Sequence, residues 1–191
     1  MTNMKSLFFF LSLFMSLNVS AQKYVVNYQT YGNYNFYGKT IFLESSTKGL
    51  TTDDIEFREY SKYIGKLFSF NGASMTLDRS NANVIVYVCC AISEPQKDVY
   101  NSPTVSIPSG NYVWRFGGPR TYTSYTRYLE LKAYTTSDSN NVWKATITSS
   151  GSSGDYSSIL PVLCFTIRNS IGKASNNEIE TNETMVNNFY R

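Results

Sequence analysis

Histidine is absent from the 191 residues of this chain. Its absence removes the usual zinc ligand and the usual general base near neutral pH, so no Ser-His-Asp or Cys-His machinery can be assembled here. Charge is scarce as well: Asp, Glu, Lys and Arg make up 16% of the chain, with a formal net charge of +3 at pH 7. Lys5 is the one charged residue among the first 21, so the remainder carries +2. That is too little and too dispersed for a nucleic-acid surface, and no nucleic-acid partner is expected. No apolar stretch reaches the roughly 20 residues that a membrane-spanning helix needs. Only three cysteines are present, and none falls in a CxxC or metal-ligand spacing.

What is present begins with an export signal. Lys5 precedes the apolar run from Leu7 to Leu17, and Asn18 leads into the small-residue triplet Val19, Ser20, Ala21. A core of about 7–15 apolar residues with such flanks reads as a cleavable signal peptide over residues 1–21, leaving Gln22 first. No cysteine lies near that cleavage point, so a lipid anchor is not expected, and the mature chain is expected to be periplasmic or secreted. The rest has the length of one domain and enough apolar residues, 42% of the chain, to bury a core. Its tyrosine, threonine and valine content is that of strands.

Tyr24 to Tyr28 reads as a strand, and Thr40 to Leu43 as a second short apolar run. A helix is expected from Thr51 or Thr52, since Thr51 followed by Asp54 is a variant of the capping box. Its apolar positions Phe57, Tyr60, Ile64 and Leu67 fall at helical spacing, and Asn71 and Gly72 end it. Ala73 to Leu77 and Asn83 to Ile92 follow across a polar turn. The run Val84 to Ile92 is apolar at both parities, which predicts a central strand covered on both faces. Residues 93–120 carry Pro95, Pro103, Pro108, Gly110, Gly117, Gly118 and Pro119, and read as a long aromatic loop. Thr121 to Tyr134 and Val142 to Thr148 read as a hairpin. A second helix is expected from about Ser158 with Pro161 in its first turn and a stripe of Leu160, Leu163, Cys164, Ile167 and Ile171. Residues 176–191 read as a polar tail in which Met185, Val186 and Phe189 could dock one turn. The order predicts an α+β fold: a mixed or mainly antiparallel sheet with two principal helices packed on it, in one domain over 22–175.

Three places resemble a known family: Val26 to Tyr31, the polar turn and apolar strand from Ser80 to Val88, and Tyr128 to Tyr134 with Val142, Trp143, Lys144 and Ala145. There the chain is similar to the bacterial exported proteins grouped as domain-of-unknown-function family 4136, which are often envelope lipoproteins. The lipobox cysteine of such lipoproteins is missing here. The resemblance implies fold and compartment, and the family has no established reaction.

Two function classes follow. The first is a non-catalytic binding or assembly module of the cell envelope, with an envelope protein or a glycan as partner and Tyr112, Trp114, Arg115 and Tyr125 as its aromatic surface. The second is a carboxylate-dependent hydrolase acting on envelope glycans, drawing on Asp53, Asp54, Glu56, Asp78 and Glu130. No catalytic set, cofactor or metal site is assigned. Cys89 and Cys90, adjacent on a strand, point to opposite faces. Cys90 and Cys164 either bridge, if the second helix covers the Val84, Val86, Val88 face, or remain buried free thiols.

Overall fold

The computed structural model describes residues 23–109 and 112–191, the side chains of 102 and 104–116 excepted. The expected signal peptide, residues 1–21, lies outside the described residues. The described chain is a single α+β domain with an eight-stranded mixed sheet. The strands are β1 (Lys23–Tyr31), β2 (Thr40–Ser45), β3 (Ser74–Met75), β4 (Val84–Ile92), β5 (Gln96–Ser109), β6 (Tyr112–Thr135), β7 (Asn141–Gly151) and β8 (Ser175–Asn182). The helices are α1 (Ile55–Phe70), α2 (Tyr156–Thr166) and α3 (Glu183–Tyr190). Spatial order is β3-β2-β4-β6-β7-β1-β8, with β5 pairing β6 off this path. β2 runs parallel to β3 and β4, and every other pairing is antiparallel. Among the described residues no helix is long and apolar enough to cross a membrane.

The helices lie on one face of the sheet. Strand parity decides which side chains meet them: Val84, Val86 and Val88 of β4, Leu129, Leu131 and Ala133 of β6, and Trp143, Ala145 and Ile147 of β7 are all buried. Trp143 anchors this layer. Phe36 and Phe68 meet its ring edge-on at 5.7 and 6.2 Å, and its indole N–H donates to the Lys173 carbonyl at 3.3 Å. The opposite face carries Ile85, Tyr87 and Cys89 only half-buried. The expectation that β4 is covered on both faces therefore fails: its second apolar parity lies on a face without helices.

α1 starts at Ile55, later than the capping-box reading placed it, with Asp54 as N-cap. The box is half formed: the Asp54 carboxylate accepts from the Thr51 backbone N–H at 2.5 Å. α2 starts at Tyr156, where the Asp155 carboxylate accepts from Ser157 N at 3.0 Å. Pro161 therefore sits in the helix interior, not in its first turn. The expected stripe is buried, but the helix ends at Thr166, so Ile167 and Ile171 belong to its cap and the following turn. α2 is buried nearly all round, between the sheet and its helical neighbours, which explains why no polar face marked its start.

Two segments read as irregular are ordered. Residues 93–120 contain β5 and the first half of β6, a paired ribbon instead of a loop. The polar tail contains β8, paired with β1 from Lys23↔Asn182 to Thr30↔Ser175, and then α3. α3 is capped by Asn182, whose side chain accepts from Met185 N at 3.0 Å, and it buries Val186.

Gly172 joins the helical layer to the segment before β2. Its φ is +73°, its carbonyl accepts from Tyr34 N at 2.9 Å, and a Cβ there would overlap the Tyr34 carbonyl oxygen. Left-handed backbone alone costs a side-chain-bearing residue about 1–2 kcal/mol. Gly172→Ala is expected to lower unfolding free energy by at least that much in urea titration, with the fold retained by circular dichroism.

Candidate functional site

Of the carboxylates proposed for catalysis, Asp53, Asp54 and Glu56 lie at the start of α1, while Asp78 and Glu130 lie on other elements. Asp54 holds the N-cap position of α1 without a side-chain cap hydrogen bond, and Glu56 accepts a hydrogen bond from the Tyr60 hydroxyl one turn further along. Asp53 borders a groove beside α1. Asp78 caps the 3-10 turn Arg79–Asn81, accepting from Ser80 N at 2.9 Å, Ser80 Oγ at 2.8 Å and Asn81 Nδ2 at 2.9 Å. Glu130 stands on the helix-free sheet face between Lys132 and Lys144, each at 2.6 Å. Among the described residues no group of three or more acids and cysteines gathers as a metal site would.

The electrostatics hold Asp78 and Glu130 charged. Hydrogen bonds from Ser80 bring Asp78 below the usual carboxylate range, and Ser157 does the same for Asp155. Burial opposes the charge of Glu130, but the Lys132 and Lys144 ammoniums overcome it and lower its pKa. A general acid needs the opposite shift.

The three cysteines are free thiols. α2 does cover the β4 face, so Cys90 and Cys164 are both buried while Cys89 is half-exposed on the far side. Burial pushes the Cys90 thiol up to about 12 and raises Cys164 too. The two thiols are close enough that charge on Cys90 opposes ionisation of Cys164. Both are inert core groups at neutral pH.

The aromatic surface is distributed along one strand. β6 pairs with β4 and β7 only from Tyr125 onward; from Tyr112 to Ser124 its partner is β5 alone. The result is a two-stranded arm of 13 β6 residues, about 40 Å long at strand rise. Its register pairs Ser109 with Tyr112, Ile107 with Trp114 and Ser106 with Arg115. Tyr125 is at the base of the arm, pairs with Gly151, and packs over Gly154. Trp114 lies eleven positions before it along β6; the side chains of Tyr112, Trp114 and Arg115 lie outside those described. Nearer the base, Val99, Tyr100 and Tyr122 are more than half exposed.

The sheet's helix-free face holds a feature that sequence did not single out. Tyr87 and Tyr134 meet edge to face at 5.5 Å in a shallow cleft of about 1100 Å³. Arg79 donates to the Tyr87 hydroxyl at 3.3 Å, its Nε lies 3.0 Å from Glu44 Oε2, and Lys132 borders the other side. The signal available was parity: Ile85, Tyr87 and Cys89 alternate with the buried valines, and Tyr128, Glu130, Lys132 and Tyr134 with the buried leucines.

No family model matches the chain, and no curated protein matches it. Solved structures do. A variant of the PelC dodecamer from Paraburkholderia phytofirmans is 12% identical at a TM-score of 0.47, covering 78% of this chain and 99% of that one. A PelC dodecamer from the same organism in another crystal form gives 12% and 0.46 with the same coverage. A PDZ domain protein from Parabacteroides distasonis is 10% identical at 0.40, covering 90% of this chain and 42% of that one. All three TM-scores are below 0.5.

Two measurements follow. Thiol titration of the denatured, unreduced protein is expected to find three thiols, and native labelling at pH 8 to reach Cys89 alone. For pH, Asp78, Asp138, Asp155 and Glu130 have folded values lowered from 3.8 or 4.5, so folding favours their ionised forms. Their stability is complete above the unfolded values and is lost as pH falls through the lowered ones. With no histidine to titrate, the urea midpoint is expected to stay level from about pH 5.5 to 8 and to fall below about pH 4.

Proposed function

We propose that this protein is an exported, non-catalytic binding or assembly module of the cell envelope, related to domain-of-unknown-function family 4136, and that the β5–β6 arm carries its partner contact. The arm is the observation behind this reading. An isolated two-stranded ribbon is marginal in water and needs a third strand or a packed face to be stable. This one extends beyond the other strands, has no pairing on either outer edge among the described residues, and exposes Val99, Tyr100 and Tyr122 near its base. Unpaired edges and exposed aromatics are what a partner would cover, and tyrosine supplies contact area with a polar tip. The acids support the same reading, because the shifted ones are held charged by caps or lysines, the opposite of the shift a glycoside-cleaving acid needs.

Gln96 and Ser124 pair across the arm's base, so replacing 97–123 by Asn-Gly closes a two-residue hairpin there and leaves the body's pairings in place. The armless protein is expected to keep its α+β circular dichroism and lose at least ten-fold in capture of the partner recovered by the intact mature protein from its own envelope. Equal recovery by both would refute the role of the arm. Cell fractionation with N-terminal sequencing is expected to find a periplasmic or secreted chain beginning near Gln22.

A further inference from the structure

The sheet ends on one side in a strand of two residues. β3 pairs with β2 only at Thr40↔Ser74 and Ile41↔Met75, so the outer edge of β2 is open beyond that point. Residues of a parallel strand alternate in the direction of their backbone groups. Thr40 and Ser46 bond toward β4, the first accepting from Asn83 N at 2.8 Å and the second donating to Val88 O at 2.8 Å. Ile41, Leu43 and Ser45 therefore face outward. The Ile41 carbonyl accepts from Thr76 N at 2.9 Å, and the Ser45 N–H donates to Thr52 Oγ1 at 3.0 Å. Leu43, between them, has no backbone partner on that side among the described residues, although the residue is 6% exposed. An open main-chain position at a sheet edge is a place where a further strand can pair.

Leu43 opens onto a groove of about 820 Å³ between this edge and α1. Phe42, Phe57, Met75 and Leu77 line it, and Leu77 is fully exposed. Gly65 keeps the helix side low: a Cβ there would meet Met75 Cγ at 3.4 Å. Along the rim Arg58, Lys62 and Lys66 recur every fourth residue, which places them on one stripe of α1. Lys62 is already shared with Glu59 at 2.6 Å, whereas Arg58 has no ion pair among the described residues. Asp53 is the one acid on the rim.

We propose that this groove takes an extended acidic segment of a partner polypeptide as an added strand. Its main chain bonds to Leu43, its acidic side chains meet Arg58 and Lys62, and the alternating apolar ones cover Phe42. Strand addition supplies main-chain hydrogen bonds at the edge, and the cationic rim selects the sign of the side chains. The groove and the arm lie on different elements, so this proposal stands independently of the one above.

The test uses the ¹⁵N-labelled mature protein and two capped probes, acetyl-Asp-Val-Asp-Val-Asp-Val-amide and its lysine counterpart, acetyl-Lys-Val-Lys-Val-Lys-Val-amide. The acidic peptide is expected to shift the Phe42, Leu43 and Leu77 amides saturably and to slow hydrogen exchange at Leu43 at least ten-fold; the lysine peptide does neither. The Arg58→Glu, Lys62→Glu variant, with its fold checked by circular dichroism, is expected to reverse that preference. Unchanged exchange at Leu43, or equal response to both peptides, overturns the proposal. Leu43 protection that grows with protein concentration in the absence of peptide overturns it too, by assigning the groove to a second copy of the chain.

Discussion

The arrangement depends on one strand serving two purposes. β6 is 24 residues long, against the usual 3–10, and its second half is clamped between β4 and β7. Burial of Leu129, Leu131 and Ala133 fixes the register of that half, because a slip of one residue would turn all three outward. The first half has no such anchor and continues in the direction the clamp sets. At the junction Arg127 is 3% exposed and donates from Nε to Ser149 O at 3.3 Å and from Nη1 to Ser153 O at 3.0 Å. Gly151 makes room for it, since a Cβ there would lie 2.6 Å from the guanidinium. Desolvation lowers its pKa, and no carboxylate pairs with it among the described residues. Carbonyl oxygens hold this cation and fasten the base of the arm to the loop leading into α2.

Covering the sheet on one face only follows from the same parity and governs what each surface offers. The helical side is dry, with Trp143, Phe36 and Phe68 interlocked and α2 apolar on almost every side. The other face mixes tyrosine with ion pairs that are partly exposed, which contribute little to stability but keep that face solvated. Edges are handled unequally. β8 closes one side with polar residues, as edge strands commonly do, while two-residue β3 leaves the other side incomplete.

Much of the body was legible from sequence because its signals were periodic: the helical spacing of Phe57, Tyr60, Ile64 and Leu67, and the alternation through β6 and β7, lead directly to buried residues. The arm was not, for a physical reason. Proline and glycine mark loops because they cannot serve an interior strand, but in a two-stranded ribbon both strands are edges. Pro108 and Pro119 are accommodated opposite Val113 and Asn101, and the register shift between Ser102 and Val105 falls at Pro103. β8 escaped notice because Ser-Asn-Asn-Glu looks like tail; only pairing with β1 makes it a strand. Of the aromatic surface, Tyr112, Trp114, Arg115 and Tyr125 follow one another along β6. The groove at Leu43 gave no sequence signal, since it arises from where β3 stops.

The missing histidine has a wider consequence once the surroundings of the remaining titratable groups are known. Caps and lysines move the shifted carboxylates downward, and burial moves Cys90 and Cys164 upward. These groups are driven away from neutrality from both sides, which leaves them with fixed charge, or none, across the neutral range. Proton transfer requires a group that can change state there. Recognition benefits from the reverse, because a surface whose charges do not vary presents the same complementarity to its partner as external pH changes.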